Sequence, residues 1–595
     1  MKITFLPEHI INEVKPGTTI LQAAIDAGLK IDAPCGGNGK CKKCKVKITD
    51  SQGTRTVLAC MTEISEDITV DLSGEDEGHR ILMGGISRQI IHNPAIKAIT
   101  LKVPEPSTED LRACWLRLKD TAAEALGISA DGIAPDVYTA SHLYRTLSEN
   151  SFEVDALVYN NTILDVVPAG SDVLAMAFDI GTTTIAAYFI DLRTGRQLSQ
   201  ASMLNPQVKY GADVIMRMKY SLENGLKGPT GDIREALMEL TAQCCSEAGK
   251  KPESVYLVSL VGNTCMHHLF LGIDPSSLAY APYTAAIAEP IIGRACEYGF
   301  RINPNAKLFF LPNIAGFVGA DTVGAALAAA MDEAEKITLL IDIGTNGEMV
   351  LGDKKRLIAC STAAGPAFEG AVITCGMRGA DGAIDHIKLV DGKLDYSVIG
   401  GGKPVGICGS GLIDLLSELV RVGLVESGGK LLLGDEIEDS EGKAFAGRVE
   451  VKDGLRSFLL ADETESGNGE RIIFTQKDIR EVQLAKGAMA AGIQMMCRRL
   501  GITTADIRSV MIAGAFGSYM SPKSAAGIAL IPPELGDEVL AIGNAAGQGA
   551  KLCAMSIDEY HRSDRLSKKM EYLELAADPK FQDIFVDELE FPSKY

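Results

Sequence analysis

Apolar and polar residues alternate along the first segments of the chain, the period of two that a half-buried strand requires. On that pattern strands are predicted at residues 2–6, 10–14, 45–48, 56–59 and 68–72, and Thr18 and Thr19 open a helix continuing through Leu21, Ala24 and Ile25. Further along, residues 98–103 read as a strand and 108–118 as a helix. Short, mostly apolar runs then appear at 174–178, 258–261, 338–341 and 510–513, as expected of strands buried on both faces. Alternating stretches at 185–190 and 349–351 follow two of these runs, and helices are predicted at 320–331, 412–420 and 476–496. The alanines between 325 and 330 need no reason beyond helix propensity. No apolar run reaches membrane-spanning length, and residues 1–5 lack the apolar core of a signal peptide. A cytoplasmic protein with no membrane contact is expected.

The 595 residues are too many for one core, so three or more domains are expected. A formal net charge of −20 disfavours nucleic acid as a partner. One short basic run, Lys40, Lys42, Lys43, Lys45 and Lys47, reads equally well as a solvated loop or as a docking surface for an acidic electron-transfer partner.

The basic run interleaves with cysteines. Cys35, Cys41, Cys44 and Cys60 are spaced C-x5-C-x2-C-x15-C. Plant-type [2Fe–2S] proteins use C-x4-C-x2-C and a distant fourth cysteine, so the first gap here is one residue longer and the fourth ligand is near. Gly36, Gly37 and Gly39 permit the backbone to wrap a cluster and aim amides at its sulfurs. A structural zinc site is the alternative, but zinc modules usually show two close pairs and this chain has one. The other ten cysteines, Cys244-Cys245 among them, lack ligand spacing and read as small buried hydrophobes. The vicinal pair His267-His268 reads as core packing, since adjacent helical residues point apart.

Two later segments repeat each other. Asp179-Ile180-Gly181-Thr182-Thr183 and Asp342-Ile343-Gly344-Thr345-Asn346 each follow an apolar strand and precede another. Gly after Asp allows a tight hairpin whose amides and hydroxyls approach phosphate oxygens, while the Asp at the strand end can hold hydrated Mg²⁺. Glycine-rich turns at 262–264, 364–370, 406–411 and 514–518 fall where a two-lobed nucleotide fold needs them.

The two D-I-G-T elements and Gly514-Ala515-Phe516-Gly517 resemble the phosphate-1, phosphate-2 and adenosine motifs of the acetate and sugar kinase/heat-shock chaperone/actin superfamily. Joined to a short-spaced [2Fe–2S] domain, the whole chain resembles the reductive activators of corrinoid proteins, as do Val103-Pro104-Glu105-Pro106, Asn205-Pro206-Gln207, residues 311–321 and residues 476–483. The fold class expected is α/β multidomain: a β-grasp ferredoxin-like domain at 1–76, a linker at 77–96, a small middle α/β domain at 97–172, and a duplicated actin-like (ribonuclease H-like) ATPase domain with lobes at 173–336 and 337–595. The resemblance implies ATP-dependent transfer of one electron to a corrinoid protein's Co(II), regenerating Co(I), with the [2Fe–2S] cluster, ATP and Mg²⁺ as cofactors and an external low-potential electron donor. It leaves a homodimer open. The implied roles are cluster ligation by Cys35, Cys41, Cys44 and Cys60, metal and water positioning by Asp179 and Asp342, and phosphate contacts by Gly181, Thr182, Thr183, Gly344, Thr345 and Asn346. Gly514, Ala515, Phe516 and Gly517 face the adenosine. Three alternatives stay open: a small-molecule kinase fused to a ferredoxin, an activator of radical dehydratases, and a nucleotide-switched redox sensor.

Overall fold

The computed structural model describes the chain apart from residues 7–9, 28, 30–43, 52, 72–87, 212, 345, 366, 369, 371, 518, 537–538 and 593–595, and apart from the side chains of Glu13, Ile25, Asp26, Lys45, Ala515 and Phe516. It divides into two compact units, 1–81 and 82–595.

The first unit is a five-stranded sheet in the order Ile10–Glu13, Lys2–Leu6, Ile68–Asp71, Lys45–Asp50, Gly53–Leu58. Lys2–Leu6 and Ile68–Asp71 run parallel and the other pairs antiparallel. The alternation read from sequence has its expected cause: Ile3, Phe5, Ile48 and Val70 point to one face, where Ile20, Ala23 and Ala24 of the helix Ile20–Asp26 cover them. This is the predicted β-grasp arrangement. Cys44 and Cys60 lie in the same core.

In the second unit, a three-stranded antiparallel sheet of Ile96–Lys102, Glu153–Tyr159 and Thr162–Pro168 carries the helices Cys114–Leu126 and Val137–Glu149. The helix expected over 108–118 begins six residues later. Ser107 and Asp110 bond each other's backbone in a turn, and the buried Arg117 side chain donates to the Asp110 carboxylate at 2.7 Å and to the Glu105 carbonyl at 3.3 Å. Those bonds hold residues 105–110 outside the helix. Arg88 pairs with Glu559, and Asn93 exchanges backbone bonds with Met555 and Ile557, so this part of the 77–96 segment lies along the start of the helix Ile557–Lys569.

Two six-stranded sheets follow one plan. In the first, the meander Leu174–Ile180, Thr184–Asp191, Gln197–Leu204 is extended on the Leu174–Ile180 side by the parallel strands Val255–Gly262 and Lys307–Phe310, with Ile291–Arg294 at the edge. In the second, the meander Thr338–Ile343, Gly347–Gly352, Leu357–Thr362 is extended by the parallel strands Ser509–Ala513 and Val539–Gly543, with Met570–Tyr572 at the opposite edge. The mostly apolar runs are the central strands: all eight residues of Val255–Gly262 are buried.

Register makes the duplication quantitative. Asp179 stands opposite Val261, just before Gly262; Asp342 stands opposite Ala513, just before Gly514. The helices Ala320–Ala328 and Ala545–Met555 are counterparts as well, each following the last parallel strand of its lobe. They cross where a Cβ on Gly549 would lie 2.3 Å from the Gly324 carbonyl oxygen, an approach only two glycines permit. The later helix belongs to the first lobe's core, where Ala545, Ala546, Ala550 and Cys553 pack with Phe178 and Phe309.

Candidate functional site

In the first unit Cys44 and Cys60 are free thiols with their sulfurs 3.1 Å apart, far beyond a disulfide bond length. Cys44 precedes the strand Lys45–Asp50, and Cys60 follows Gly53–Leu58 on a turn tied by the Ala59 amide to the Cys44 carbonyl at 2.7 Å. Burial and the neighbouring Cys60 push the Cys44 thiol up. Two converging thiols, unbonded to one another, fit a pair of ligands on a single iron. Cys35 and Cys41 lie outside the described residues.

In the second unit Asp179 and Asp342, at the ends of their strands, come together in the cleft between the sheets, and two further carboxylates join them. Asp321 stands in the first turn of Ala320–Ala328, while Glu348 pairs directly with Asp342 across the antiparallel ladder. Opposed acids on adjacent strands destabilise a sheet, so their presence points to use rather than to folding. All four keep part of their surface open to solvent but are walled in by protein. Burial and mutual repulsion raise them together: Asp179 to about 7 through burial, Asp321 and Asp342, and Asp342 to about 7 through burial and Asp321. Burial lifts Asp321 to about 6, and burial with Asp321 and Asp342 lifts Glu348 well above the usual carboxylate range. Among the described residues no three of these side chains converge closely enough to hold a metal ion by themselves, so the carboxylates suit a cation that keeps much of its water shell, as Mg²⁺ does.

Asn544, just ahead of the helix Ala545–Met555, donates from Nδ2 to Asp179 Oδ2 at 2.8 Å while its Oδ1 accepts the Gly547 amide at 2.7 Å. Within the first lobe, Asn263 Nδ2 donates to Thr182 Oγ1 at 2.9 Å, and Asn263 lines one small cavity together with Asn346 of the second lobe. Gly181 and Gly344 close the two hairpins by donating to the Thr184 and Asn346 carbonyls, both at 3.0 Å. Gly514 has φ +89°, and its Cβ position lies 3.0 Å from Asp342 Oδ1, so the third motif begins beside the second hairpin. Gly517 packs against Ile512. Thr345 lies outside the described residues, as do the side chains of Ala515 and Phe516.

Sequence reading gave no role to Asp321, Glu348 or Asn544. Each carried a signal nonetheless: an acid opening an alanine-rich helix, an acid inside an apolar strand, and an Asn at the counterpart of Gly319 in the other lobe. His267 and His268 pack as expected. The His267 ring meets Phe310 edge-on at 4.5 Å, and His268 donates from Nδ1 to the Thr264 carbonyl at 2.8 Å and accepts the Ala286 amide at Nε2.

Burial and His268 push His267 down to about 3. Its folded value lies below the unfolded one, so its contribution is complete above about pH 6.5 and is lost as pH falls toward 3. His267→Phe should therefore flatten the acid limb of a stability–pH curve, by up to one proton's slope or about 1.4 kcal/mol per pH unit. Denaturant melts between pH 4 and 7 would show it; an unchanged slope would contradict the neutral, buried assignment.

Comparison with known proteins decides the family. Residues 3–65 match the 2Fe-2S iron-sulfur cluster binding domain, 85–172 the RACo linker region, 174–334 the RACo middle region, and 336–595 the C-terminal domain of RACo, the ASKHA domain. The corrinoid activation enzyme RamQ of Eubacterium limosum is 34% identical over 594 residues, covering 98% of both chains. The chain belongs to the reductive activators of corrinoid proteins. A solved reductive activator for corrinoid, iron–sulfur protein superposes on the whole chain and 98% of its own length with a TM-score of 0.76 at 32% identity. The [Co(II) methylated amine-specific corrinoid protein] reductase of Methanosarcina barkeri is 24% identical over 459 residues, covering 70% of this chain and 76% of its own. As an activator of this family the chain is built from an iron–sulfur β-grasp domain and duplicated actin-like lobes. No helix among its described residues is long and apolar enough to cross a membrane.

Proposed function

We propose that this protein returns a partner corrinoid protein from Co(II) to Co(I) in an ATP-dependent, one-electron reduction, the electron coming from an external low-potential donor. The full-length match to a corrinoid activation enzyme carries this reading. Cys35, Cys41, Cys44 and Cys60 would hold the [2Fe–2S] cluster, which when bound supplies single electrons at low potential, near −400 mV for plant-type clusters. Asp179 and Asp342 would position hydrated Mg²⁺ through its water shell, with Asp321 and Glu348 adding negative charge nearby; the ion when bound neutralises phosphate charge.

The chain's own residues supply the rest. Thr182, Thr183, Thr345 and Asn346 would offer amides and hydroxyls to phosphates from both lobes, on hairpins that the Gly181 and Gly344 amides close, with Gly514 to Gly517 beside the adenosine. A ligand bridging the two hairpins is bound best by one separation of the lobes, and this differential is what lets nucleotide drive a conformational change. Asn544 keeps Asp179 oriented from the opposite lobe's sequence. ATP coupling has an energetic reason: one electron moved 100 mV uphill costs about 2.3 kcal/mol, and Co(II)/Co(I) is expected to lie below the cluster.

The test follows the visible spectrum of a Co(II) corrinoid protein mixed with this protein and a low-potential reductant. Co(I) should appear with Mg-ATP and not without it. Equal reduction in both samples would refute ATP dependence, and no Co(I) with any corrinoid candidate would refute the function.

A further inference from the structure

The first hairpin is fastened from behind in a way that the assigned roles do not explain. Three successive carbonyls of the loop are each captured by a donor: Gly181 O by Asn205 Nδ2 at 2.8 Å, Thr182 O by Arg217 Nη2 at 2.6 Å, and Thr183 O by the Asn205 amide at 2.9 Å. In a trans peptide the N–H points opposite to the carbonyl preceding it. Fixing these carbonyls therefore turns the amides of Thr182, Thr183 and Thr184 the other way. Among the described residues the Thr182 and Thr183 amides have no protein acceptor. Consecutive amides presented together form a concavity that binds anions.

Arg217 is the unusual member. It lies on the helix Val214–Asn224 and is wholly buried. Its Nε donates to the Gly211 carbonyl at 2.9 Å, and its Nη1 lies 3.6 Å from the Met266 sulfur. Every partner is neutral. Among the described residues no carboxylate lies within ion-pair distance of the guanidinium; the nearby Asp213 carboxylate is engaged in capping the helix through the Met216 amide at 2.8 Å. A buried guanidinium without an anion is a costly arrangement, since buried charges are as a rule paired. Simple carbonyl capping does not need it, because Asn205 performs that task without charge.

We infer that Arg217 is a positioning residue for the nucleotide's phosphates: it sets the amides of the first hairpin through the Thr182 carbonyl and serves as the fixed positive charge that the bound polyphosphate neutralises. Asn205 completes the same brace. The inference rests on the nucleotide reading above and adds to it the source of the loop's preference for highly charged ligands. Low surrounding dielectric makes the charge act through the thin wall of the loop instead of being screened by water.

The experiment measures binding of adenosine, AMP, ADP and ATP, each with Mg²⁺, by calorimetry on the full-length native protein and on Arg217→Gln, Arg217→Lys and Asn205→Ala, with folding checked by circular dichroism. Arg217→Gln should weaken ATP and ADP at least tenfold, weaken AMP less, and leave adenosine within twofold. Arg217→Lys should recover part of the dependence on phosphate number, and Asn205→Ala should show the same graded loss. A purely structural brace would lower all four ligands alike, and that outcome overturns the inference; so does ATP binding within twofold of native in a folded Arg217→Gln protein. If Arg217→Gln does not fold, the Arg217→Lys and Asn205→Ala series decides by the same grading. Native protein that binds none of the four ligands would overturn the nucleotide reading itself.

Discussion

Asp342→Asn should reduce ATP turnover by about 10²-fold or more, the scale on which positioned acid–base and metal-holding groups act, while leaving iron content and the visible spectrum unchanged. Asp342 stands at the meeting point of the site, opposite Glu348 in the ladder, beside Gly514, and within electrostatic reach of Asp179, Asp321 and Glu348. Its replacement has a second, opposite consequence. Burial and Asp321 raise its folded pKa to about 7, so ionising it opposes folding increasingly as pH rises from about 4 through 7. The metal-free variant should melt higher than metal-free native protein at pH 8 and about equally at pH 4. A residue that lowers turnover and raises stability when neutralised is recognised as a site kept for function. Native ATP turnover in Asp342→Asn would refute its role, and a lower melting temperature at pH 8 would refute the crowded-carboxylate account.

The second large effect lies in the other unit. Cys44→Ser should abolish the iron–sulfur absorption and with it all Co(I) formation, a loss of at least about 10²-fold, because thiolates hold such clusters. Cys60→Ser should do the same. Both variants should still bind Mg-ATP, since the cysteines and the acidic cleft belong to separate compact units. Full iron loading in either variant would remove it from the ligand set. Loss of nucleotide binding along with the cluster would show that the units do not fold independently.

How much of this was legible in the sequence depends on how local each signal is. Asp179 and Asp342 could be found because D-I-G-T is written twice in contiguous residues and each copy follows an apolar strand. The β-grasp strands were legible from alternation alone, with ends within a few residues. The helix start at Cys114 was not, because it depends on a buried Arg117 reaching back to Glu105 and Asp110, bonds invisible to periodicity. Glu348 looked like one polar residue in a strand; only the register that sets it against Asp342 gives it meaning. Asn544 and Arg217 were out of reach for the same reason. Asn544 meets Asp179 across 365 residues of chain, and Arg217 meets Thr182 across 35. Composition cannot report that a charged side chain is buried without its counterion.

The glycine crossing between Ala320–Ala328 and Ala545–Met555 fixes how two helices of the first lobe's core meet. With no side chains between them at Gly324 and Gly549, the two backbones meet almost at a point and act as the rivet of a pair of scissors. Asp321 rides on one blade three residues from the rivet, and Asn544 on the other at five residues. At 1.5 Å of rise per residue the longer arm is about 7.5 Å, so each 10° of scissoring carries Asn544 through about 1.3 Å. Its 2.8 Å bond to Asp179 would not survive more than a few such steps. Because both blades and the Asp179 strand share the first lobe's core, the angle between the blades fixes how Asp179 is presented to the cleft.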